Sequence, residues 1–249
     1  MKFIGIIPAR YASTRFPGKP LVDIGGKIMI RRVYEQAKKA LDIVYVATDD
    51  KRIEKAVNNF GGKVIMTSKR HKSGTDRIAE AVDLISQETG EKYDVIINIQ
   101  GDEPFIYPEQ IENVKKCFKL KRTQIATLAK PINNSKDIFD VNKPKLILNN
   151  KKEAIYFSRS PIPFVRGVKQ KDWILKHKFY KHIGLYGYRY DILQEITKLK
   201  PGVLELTESL EQLRWIENGY KIKVEETEYD SIGIDTRKDL KRIYDAGLM

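Results

Sequence analysis

The sequence KFIGIIPARYASTRFPGKP at residues 2–20 joins a short apolar run to a basic loop. The run Lys2 to Ile7 has the unbroken apolar character of a strand buried on both faces. A helical pattern from about Met29 to Ala40 follows, and then a β-branched stretch, Ile43 to Thr48, that is typical of a second strand. A strand, a helix and a strand in this order predict a βαβ unit.

The same alternation continues to about residue 100. The sequence predicts a helix from Asp50 to Phe60, a strand from Lys63 to Met66, then an amphipathic helix, and a strand from Val95 to Ile99. The amphipathic helix carries Ile78, Val82 and Ile85 on one stripe. We therefore predict an α/β fold with a mostly parallel, doubly wound sheet and helices on both faces.

The second half is less regular. Its predicted strands and helices alternate less strictly: strands Ile125–Leu128, Leu146–Leu148, Ala154–Phe157, Ile183–Tyr188 and Ile222–Glu226, and helices near Asp191–Thr197, Thr207–Asn218 and Lys238–Ala246. Proline-rich turns at Pro161 and Pro163 and the basic stretch up to His182 indicate a smaller mixed β excursion from the main sheet. Since no repeat or linker divides the chain, we expect a single domain over residues 1–249.

Composition restricts the class of protein. The 249 residues include 46 Lys and Arg against 33 Asp and Glu, a net charge of +13, and the balance of apolar and charged residues is globular. The one cysteine, Cys117, cannot form an intrachain disulfide, which favours a reducing, cytoplasmic location. The apolar run Phe3 to Ala9 is too short for a signal peptide or a membrane span.

The positive charge raises the question of nucleic acid. Two stretches are basic, residues 115–122 and the aromatic-containing residues 169–181. Most of the excess is lysine spread along the whole chain, as on a solvated surface, and no helix-turn-helix, zinc-finger or aromatic RNA-binding motif accompanies it. We therefore expect no nucleic-acid partner and no membrane, although a small polyanion such as a nucleotide suits the charge.

The loop after the first strand combines cationic and hydroxyl side chains. Arg10, Arg15 and Lys19 supply positive charge, and Ser13 and Thr14 supply hydroxyls. Ligands of parallel sheets bind at the carboxyl ends of the strands, so this loop is a candidate site for a nucleotide triphosphate. The alternative is that this loop is an ordinary solvated turn.

The usual phosphate-binding motifs are absent. Neither G-x-x-x-x-G-K-[ST] nor G-x-G-x-x-G occurs, which excludes an ordinary P-loop protein or dinucleotide dehydrogenase.

Two aspartates are candidate ligands for Mg²⁺. Asp102 follows the strand that ends near Ile99, and Asp235 lies in Gly233-Ile234-Asp235-Thr236. Carboxylate oxygens and substrate phosphates are the ligands that Mg²⁺ prefers. The alternatives are a turn cap for Asp102 and the N-cap of the last helix for Asp235.

For other polar residues, the sequence pattern fits a binding role and an ordinary structural role equally well. Ser73-Gly74-Thr75-Asp76-Arg77 opens the third helix and is either a site for a base or phosphate or an ordinary helix start. On a helix over Leu206 to Asn218, we expect an apolar stripe formed by Leu206, Leu210 and Leu213. A second face of this helix, which either hydrogen-bonds to sugar hydroxyls or is simply solvated, is formed by Glu205, Glu208 and Gln212. Arg159 and His182 could bind a carboxylate, or be a surface arginine and a packed histidine.

Eight motifs in register give the chain a family resemblance. They are IIPARYASTRFPGKPL at 6–21, ATDD at 47–50, SGTDR at 73–77, NIQGDEP at 98–104, YFSRSPIP at 156–163, HIGLYGYR at 182–189, SLEQLRWIENG at 209–219 and GIDT at 233–236. The chain resembles the 3-deoxy-manno-octulosonate cytidylyltransferases, also called CMP-Kdo synthetases, along nearly its whole length. This resemblance implies the fold of the nucleotide-diphospho-sugar transferases.

The resemblance also implies an activity. Such enzymes make CMP-Kdo and pyrophosphate from CTP and the sugar acid Kdo (3-deoxy-manno-octulosonate), with Mg²⁺, for lipopolysaccharide synthesis, by in-line attack of the sugar's anomeric hydroxyl on the α-phosphate. They are cytoplasmic and usually homodimers, with the segment from about Pro131 to Tyr190 expected at the sugar-acid and dimer region. Another CMP-sugar-acid synthetase, of the sialic-acid type, and a basic nucleic-acid-binding protein remain the alternatives.

The resemblance assigns roles to particular residues. The nucleotide phosphates would be held by Arg10, Ser13, Arg15 and Lys19, and the cytidine by Ser73, Arg77 and Gln100. The metal would be held by Asp102 and Asp235, and Arg15, Lys19 and Asp102 would be catalytic. The sugar acid would be surrounded by Arg159, His182, Tyr186, Glu208, Glu211 and Gln212.

Overall fold

A computed structural model describes residues 1–12, 16–230, 232–245 and 247. The chain forms two compact units, one of Met1–Glu112 with Ser231–Met249 and one of Asn113–Asp230. The first unit is therefore built from two separate pieces of sequence. The division falls at different positions from the 131–190 subregion expected above, and the single domain stays a prediction.

The elements follow one another in the order that the alternating pattern predicts for the first half. The strands are β1 (Phe3–Ala9), β2 (Asp23–Ile24), β3 (Lys27–Ile28), β4 (Val44–Thr48), β5 (Val64–Met66), β6 (Val95–Asn98), β7 (Ile125–Pro131), β8 (Lys145–Leu148), β9 (Ala154–Ser158), β10 (Tyr180–Arg189) and β11 (Ile222–Glu226). The helices are α1 (Met29–Lys38), α2 (Lys51–Asn59), α3 (Gly74–Thr89), α4 (Pro108–Cys117), α5 (Ser135–Ile138), α6 (Trp173–Lys176), α7 (Tyr190–Ile196), α8 (Val203–Glu208), α9 (Gln212–Glu217) and α10 (Arg237–Asp245).

The first unit contains a parallel sheet in the order β6-β1-β4-β5. In its centre Ile6 is paired with Asn98 of β6 on one side and with Tyr45 of β4 on the other. The chain passes from β1 to β4 and β5 in one direction and then returns across β1 to β6. Since such crossovers are right-handed, the change of direction places α3 on the opposite face from α1 and α2. The predicted α/β fold is confirmed.

The strands of this sheet are apolar because both faces are covered. Ile4 and Ile6 of β1 point to one face and Ile7 to the other, and all three are fully buried, as is Ile96 of β6. Apolar strands leave few polar groups inside the sheet. The polar side chains of the unit therefore collect in the loops that follow the strands.

The second unit contains a mixed sheet, as predicted for the less regular half. Its strand order is β11-β7-β10, and β8 joins β10 to β9. β11 is parallel to β7, whereas β10 is antiparallel to β7 and β8, and β8 is antiparallel to β9. Candidate sugar-acid residues follow the end of β9 (Arg159) and lie within β10 (His182 and Tyr186), both in the second unit.

The expected single helix over Leu206 to Asn218 is wrong. The chain forms two short helices, α8 and α9, because Ser209 adopts a left-handed conformation with φ 53°. Glu208 and Gln212 therefore lie on different helices and do not share a helical face. The predicted apolar stripe fails at its first member, since Leu206 is 69% exposed while Leu213 is fully buried.

The structure also bears on the basic stretch at 115–122, on membrane crossing and on the cysteine. The basic stretch at 115–122 includes the end of helix α4, which begins at Pro108, a residue well suited to the first turn of a helix. Within the described ranges, none of the helices combines the length and the apolarity needed to cross a bilayer. The cysteine at 117 is buried, as expected for core packing, and desolvation raises the pKa of its thiol to about 12.

Candidate active site

A cavity of about 400 Å³ opens at the carboxyl ends of β1 and β6 in the first unit. Its walls come from the loops after these two strands, from the short helical turn at residues 19–21 and from the segment before α10. The lining residues are Pro8, Ala9, Arg10, Ala12, Lys19, Pro20, Gln100, Gly101, Asp102 and Asp235. Five of the predicted nucleotide and metal residues are thus brought to one cavity: Arg10, Lys19, Gln100, Asp102 and Asp235.

Lys19 connects the two aspartates in this cavity. Its Nζ donates a hydrogen bond to Asp102 Oδ2 at 2.7 Å and another to Asp235 Oδ1 at 3.1 Å. The lysine side chain is only 14% exposed, so water screens this charged group less than it would on an open surface. Two carboxylates and one ammonium leave a net negative charge on the trio.

Lys19 is placed by the turn that precedes it. Gly18 has φ 72°, a left-handed conformation that glycine adopts without a steric penalty, and its N–H donates to the carbonyl of Tyr11. On the other side of the turn, Phe16 is buried in an apolar cluster with Met29 and Ile234. The loop is therefore fixed at its base by a hydrogen bond and by apolar packing.

Gly101 allows the loop after β6 to lie against the loop after β1. A Cβ atom at this position would lie 2.9 Å from the carbonyl oxygen of Pro8, which is closer than van der Waals contact permits. A glycine is therefore needed where the two backbones approach. This close approach brings Asp102 to the same cavity as Arg10.

Asp235 is not the cap of the last helix. Thr236 performs that role, since its Oγ1 accepts a hydrogen bond from the N–H of Asp239, and the Asp239 carboxylate accepts one from the N–H of Thr236. The neighbouring Ile234 donates its N–H to the carbonyl oxygen of Asp102 at 2.9 Å. The backbone thus holds residues 102 and 235 side by side, and the Asp235 carboxylate is directed to Lys19.

The donor set of this cavity fits Mg²⁺ bound together with a substrate. Asp102 and Asp235 offer carboxylate oxygens within reach of a single atom, and Mg²⁺ is commonly bound by one or two carboxylates with phosphate oxygens completing its shell. Among residues 1–12, 16–230, 232–245 and 247, no cluster of three or more acidic, histidine or cysteine side chains could hold a metal by itself. A cation here would depend on ligands from the nucleotide.

The predicted cytidine residues occupy different positions. Gln100 lines the cavity, whereas Ser73 is the N-cap of α3 and accepts a hydrogen bond from the N–H of Asp76. The Arg77 side chain is 1% exposed, and its guanidinium donates to Thr67 Oγ1 at 2.6 Å and to Asp49 Oδ2 at 3.0 Å. The structure therefore does not bring Ser73 and Arg77 to the cavity lining.

Of the predicted phosphate loop, Arg10 and Lys19 are described, while Ser13 and Arg15 lie outside the described residues. Arg10 is exposed and follows the end of β1 directly. The helix α3 also begins close to this loop, since a Cβ at Gly74 would lie 3.5 Å from the Pro8 ring. The N–H groups of the first turn of α3 thus lie near the cavity wall.

In the second unit, Arg159 and Glu208 form one cluster. The Glu208 carboxylate accepts hydrogen bonds from Ser158 Oγ at 2.6 Å and from the N–H of Arg159 at 3.0 Å. The Arg159 guanidinium donates to three main-chain carbonyls, those of Val141, Glu208 and Ser209. Glu208 therefore anchors the end of β9, and the arginine is held in a fixed position beside it.

His182 and Tyr186 form a second group on β10. Their ring centroids are 5.3 Å apart, and His182 Nε2 lies 3.0 Å from Thr127 Oγ1. Desolvation lowers the pKa of His182 to about 3, so the imidazole is neutral at physiological pH. Burial also raises the pKa of the Tyr186 phenol well above its ordinary value, and the Glu211 carboxylate adds to this increase.

Gln212 is the buried polar residue at the start of α9. Its Nε2 has no hydrogen-bond partner within the part of the chain that the structure describes. Since buried amide donors are almost always paired, this atom is a candidate to bind a ligand oxygen. Glu211 precedes it and forms the N-cap of the same helix.

Sequence reasoning missed several residues that support the site. Asp49 and Thr67 bind the Arg77 guanidinium, and only Asp49 had a sequence signal, its position directly after β4. The Arg52 guanidinium lies 3.3 Å from the centroid of the Tyr11 ring, a contact between helix α2 and the loop after β1 that no local motif indicates. Lys145, whose ammonium is buried beside Arg159, was also missed.

Known proteins resemble the chain along nearly its full length. The family model described as "Cytidylyltransferase" matches residues 4–223. Curated proteins named 3-deoxy-manno-octulosonate cytidylyltransferase are 63% identical in Parabacteroides distasonis and 59% identical in Bacteroides thetaiotaomicron, each alignment covering 97% of this chain and 96% of the relative. A solved structure of CMP:2-keto-3-deoxy-manno-octonic acid synthetase complexed with CTP matches with a TM-score of 0.89 at 40% identity, covering 100% of this chain and 99% of the other.

Proposed function

The chain belongs to the 3-deoxy-manno-octulosonate cytidylyltransferases, a family of nucleotidyltransferases, and on this premise we propose that it makes CMP-Kdo and pyrophosphate from CTP and Kdo. The resemblance seen in the eight sequence motifs is thereby confirmed. The reaction joins the anomeric oxygen of Kdo to the α-phosphorus of CTP and breaks the bond from that phosphorus to the pyrophosphate oxygen. An in-line displacement of this kind needs no covalent intermediate on the protein.

The observation that carries this proposal is the shared cavity of Arg10, Lys19, Asp102 and Asp235. Cationic side chains beside a pair of carboxylates form a site for a polyphosphate and its cation, and neither set alone would do so. The supporting solved structure is described as a complex with CTP. We therefore assign the triphosphate of CTP to this cavity.

Different residues of the cavity would bind the phosphates, stabilise the developing charge and hold the metal. Arg10 and Lys19 bind phosphate oxygens, and Lys19 supplies a fixed positive charge where negative charge develops on the leaving pyrophosphate. Asp102 and Asp235 would hold Mg²⁺, which supplies Lewis-acid polarisation of phosphoryl oxygens when bound. Ser13 and Arg15 belong to the same loop, and we retain them as predicted phosphate ligands. Gln100, which lines the cavity, would bind the cytidine. We retain Ser73 and Arg77 of the first turn of α3 as predicted cytidine residues, although the Arg77 guanidinium is itself held by Asp49 and Thr67.

The second unit would bind the sugar acid. Arg159 offers a guanidinium for the carboxylate of Kdo, with a geometry that suits two parallel hydrogen bonds. Gln212 Nε2 and the Tyr186 phenol are polar groups that can bind sugar hydroxyls, and neutral His182 can donate or accept one hydrogen bond. Glu208 would act by holding Arg159, and Glu211 would be the glutamate that contacts the sugar.

The remaining expectations follow from the family and the sequence. We propose a homodimer, and a cytoplasmic location in which the single cysteine stays reduced. The product would serve lipopolysaccharide synthesis, since Kdo is a sugar of that polymer. None of these features is needed for the assay that tests the reaction itself.

The test is pyrophosphate release from the purified full-length chain with CTP and Mg²⁺. Kdo and N-acetylneuraminate are supplied in parallel, and the nucleotide sugar is identified by mass spectrometry. We expect CMP-Kdo to form with Kdo and at least about a hundredfold slower turnover with N-acetylneuraminate, because a sugar that misplaces its carboxylate and hydroxyls loses several oriented hydrogen bonds. Omission of the sugar, and addition of EDTA, are the controls.

The rival functions give different results. Faster turnover with N-acetylneuraminate would identify a sialic-acid synthetase. No pyrophosphate with either sugar, together with a salt-dependent shift of DNA or RNA in a gel, would identify a nucleic-acid-binding protein. Either outcome would overturn the proposed reaction.

A further inference from the structure

Lys145 is a fully buried lysine in the second unit, at the first residue of β8. Its Nζ donates hydrogen bonds to two main-chain oxygens, Asp140 O at 2.8 Å and Arg159 O at 2.5 Å. No carboxylate of the described residues lies within ion-pair distance of this ammonium. Burial of a charge without an ionic partner is unfavourable, so a lysine at this position calls for a reason beyond packing.

The two carbonyls that Lys145 binds belong to two segments that hold Arg159. One belongs to Arg159 itself. The other belongs to Asp140, whose neighbour Val141 accepts a hydrogen bond from Arg159 Nη1 at 3.0 Å. A single ammonium therefore fixes both the backbone of the arginine and the segment that holds its side chain.

The Arg159 guanidinium is bonded but not neutralised. Its three hydrogen-bond acceptors, the carbonyls of Val141, Glu208 and Ser209, are uncharged, and within the described part of the chain no carboxylate lies within 4 Å of the guanidinium nitrogens. The nearby Glu208 carboxylate already accepts hydrogen bonds from Ser158 and from the N–H of Arg159. Among the described residues, neither Lys145 nor the Arg159 guanidinium thus has a carboxylate at ion-pair distance, and the guanidinium can still pair with the carboxylate of a ligand.

We propose that Lys145 is a positioning residue for the acidic acceptor: its ammonium fixes the Asp140 and Arg159 carbonyls and so orients the Arg159 guanidinium toward the carboxylate of the ligand. The ammonium also adds positive potential beside the bound carboxylate. This proposal rests on the proposed function, in which Arg159 binds the carboxylate of Kdo. It assigns Lys145 no contact with the reacting atoms.

The variant Lys145→Met tests the role, because methionine is unbranched and of similar length but has no charge and no donor. We expect the KM for Kdo to rise about tenfold or more, with the KM for CTP changed less than twofold. Lys145→Arg, which keeps a charged donor, should restore the KM for Kdo at least in part. Melting temperature is recorded for each variant, so that loss of fold is seen separately.

Lys143→Met is the matched control. Lys143 lies two residues away, but its ammonium is paired with the carboxylates of Asp137 and Asp140 and is partly exposed. The substitution removes the same charge and leaves the two carbonyl contacts of Lys145 in place. We expect the KM for Kdo to change less than twofold in this variant.

A pH profile gives a readout that a purely structural lysine would not affect. Desolvation lowers the pKa of Lys145, and the charged groups around it are the carboxylates of Asp140 and Glu208 and the guanidinium of Arg159. The paired strand β10 contributes Lys181, which is held by Asp230. The KM of the wild-type protein for Kdo should rise as pH increases toward 10 because Lys145 loses its proton, and this rise should be absent in Lys145→Met.

The outcomes separate this proposal from the proposed function. If the wild-type protein makes no CMP-Kdo, the proposed function fails whatever Lys145 does. If it does make CMP-Kdo, an unchanged KM for Kdo in folded Lys145→Met, or an equal rise in the KM for CTP, overturns the positioning role. Should Lys145→Met not fold, a flat alkaline profile of the wild-type KM for Kdo overturns it instead.

Discussion

Three residues that are far apart in the sequence meet at a single atom. Asp102 is 83 residues and Asp235 is 216 residues from Lys19, yet both carboxylates bind its Nζ. Sequence reasoning could select Lys19 and Asp102 because each follows a buried strand of a parallel sheet, where ligands bind. For Asp235 the sequence pattern was less specific for a metal ligand, since its position before a helix fits an N-cap equally well. The hydrogen bond between Ile234 and Asp102, together with that from Lys19 to Asp235, shows why it belongs to the site.

The carboxylates at 102 and 235 should be essential for turnover. We expect Asp102→Ala to leave less than a tenth of normal activity, and Asp235→Asn to lower kcat at least about tenfold, because each removes a charged oxygen ligand from the proposed Mg²⁺ site. Pyrophosphate release at several Mg²⁺ concentrations measures both effects. Part of the loss in Asp235→Asn should be recovered at high Mg²⁺.

Asp42→Asn is the matched control for these variants, since Asp42 is exposed in a loop of the same unit and does not line the cavity. Its activity should equal that of the wild-type chain. Retention of more than a tenth of normal turnover in folded Asp102→Ala would count against a metal role for this residue.

His182 should make the folded state sensitive to acid. Its folded-state pKa of about 3 lies below the ordinary 6.5, so the unfolded chain binds the proton more readily. The stabilising contribution is complete above about pH 6.5 and is lost progressively as the pH falls toward 3, by at most ~1.4 kcal/mol per pH unit. Urea unfolding at pH 7 and pH 5 should show a smaller pH dependence in His182→Gln than in the wild-type chain.

The exposed His177 provides the comparison for this measurement. In His177→Gln, the difference in unfolding free energy between pH 7 and pH 5 should match that of the wild-type protein. If His182→Gln also matches it, the imidazole at 182 is not the group that makes folding pH-dependent.

At the level of elements, the sequence pattern predicted strands better than helix ends. The helix expected over Leu206 to Asn218 is interrupted because Ser209 is left-handed, a conformation that serine residues seldom adopt and that no periodicity reveals. As a result Glu208 anchors β9, and Gln212 is buried on another helix. A sequence that fits one amphipathic helix can thus form two when tertiary contacts stabilise the break.

The close approach of two loops gives a test at this scale. Gly101→Ala would place a Cβ within 2.9 Å of the Pro8 carbonyl oxygen, and we expect the loops to separate. Overpacking of this kind typically costs about 1–3 kcal/mol. CTP binding should weaken at least about fivefold, as measured by calorimetry, because Arg10 and Asp102 would move apart.

Gly184→Ala serves as the control, since a Cβ at that position meets no atom within 4 Å. We expect CTP binding in this variant to stay within twofold of the wild-type value. Equal affinity in Gly101→Ala would mean that the approach of the loops does not shape the CTP site.

For the whole molecule, the parallel sheet of the first unit was predictable because each of its strands is an apolar run between amphipathic helices. The division into two units was not, since residues 113–230 are joined to the first unit without a change of composition or a linker. The sugar-acid residues were also hard to place from local patterns. Their signals came from the family resemblance, and the partners of Arg159 are backbone carbonyls that have no sequence signature.

The expected homodimer can be tested at the apolar surface of the 131–190 segment. Leu175 is 77% exposed, and a large apolar side chain at the surface favours contact with a second copy. We expect Leu175→Glu to increase the dissociation constant of the dimer at least about tenfold in analytical ultracentrifugation. The matched variant Lys176→Glu, at a neighbouring exposed lysine, separates the effect of charge from the loss of apolar contact.

The first unit is completed by a piece of chain that is synthesised after the whole second unit, and this has a consequence for protein production in the cell. A ribosome that stops before codon 235 releases a polypeptide with Lys19 and Asp102 but without their third partner. Such a fragment could still bury most of the parallel sheet, yet it should turn over no substrate. Premature termination close to the end of the message would therefore be as damaging as an early frameshift, and incomplete translation products could not make nucleotide sugar.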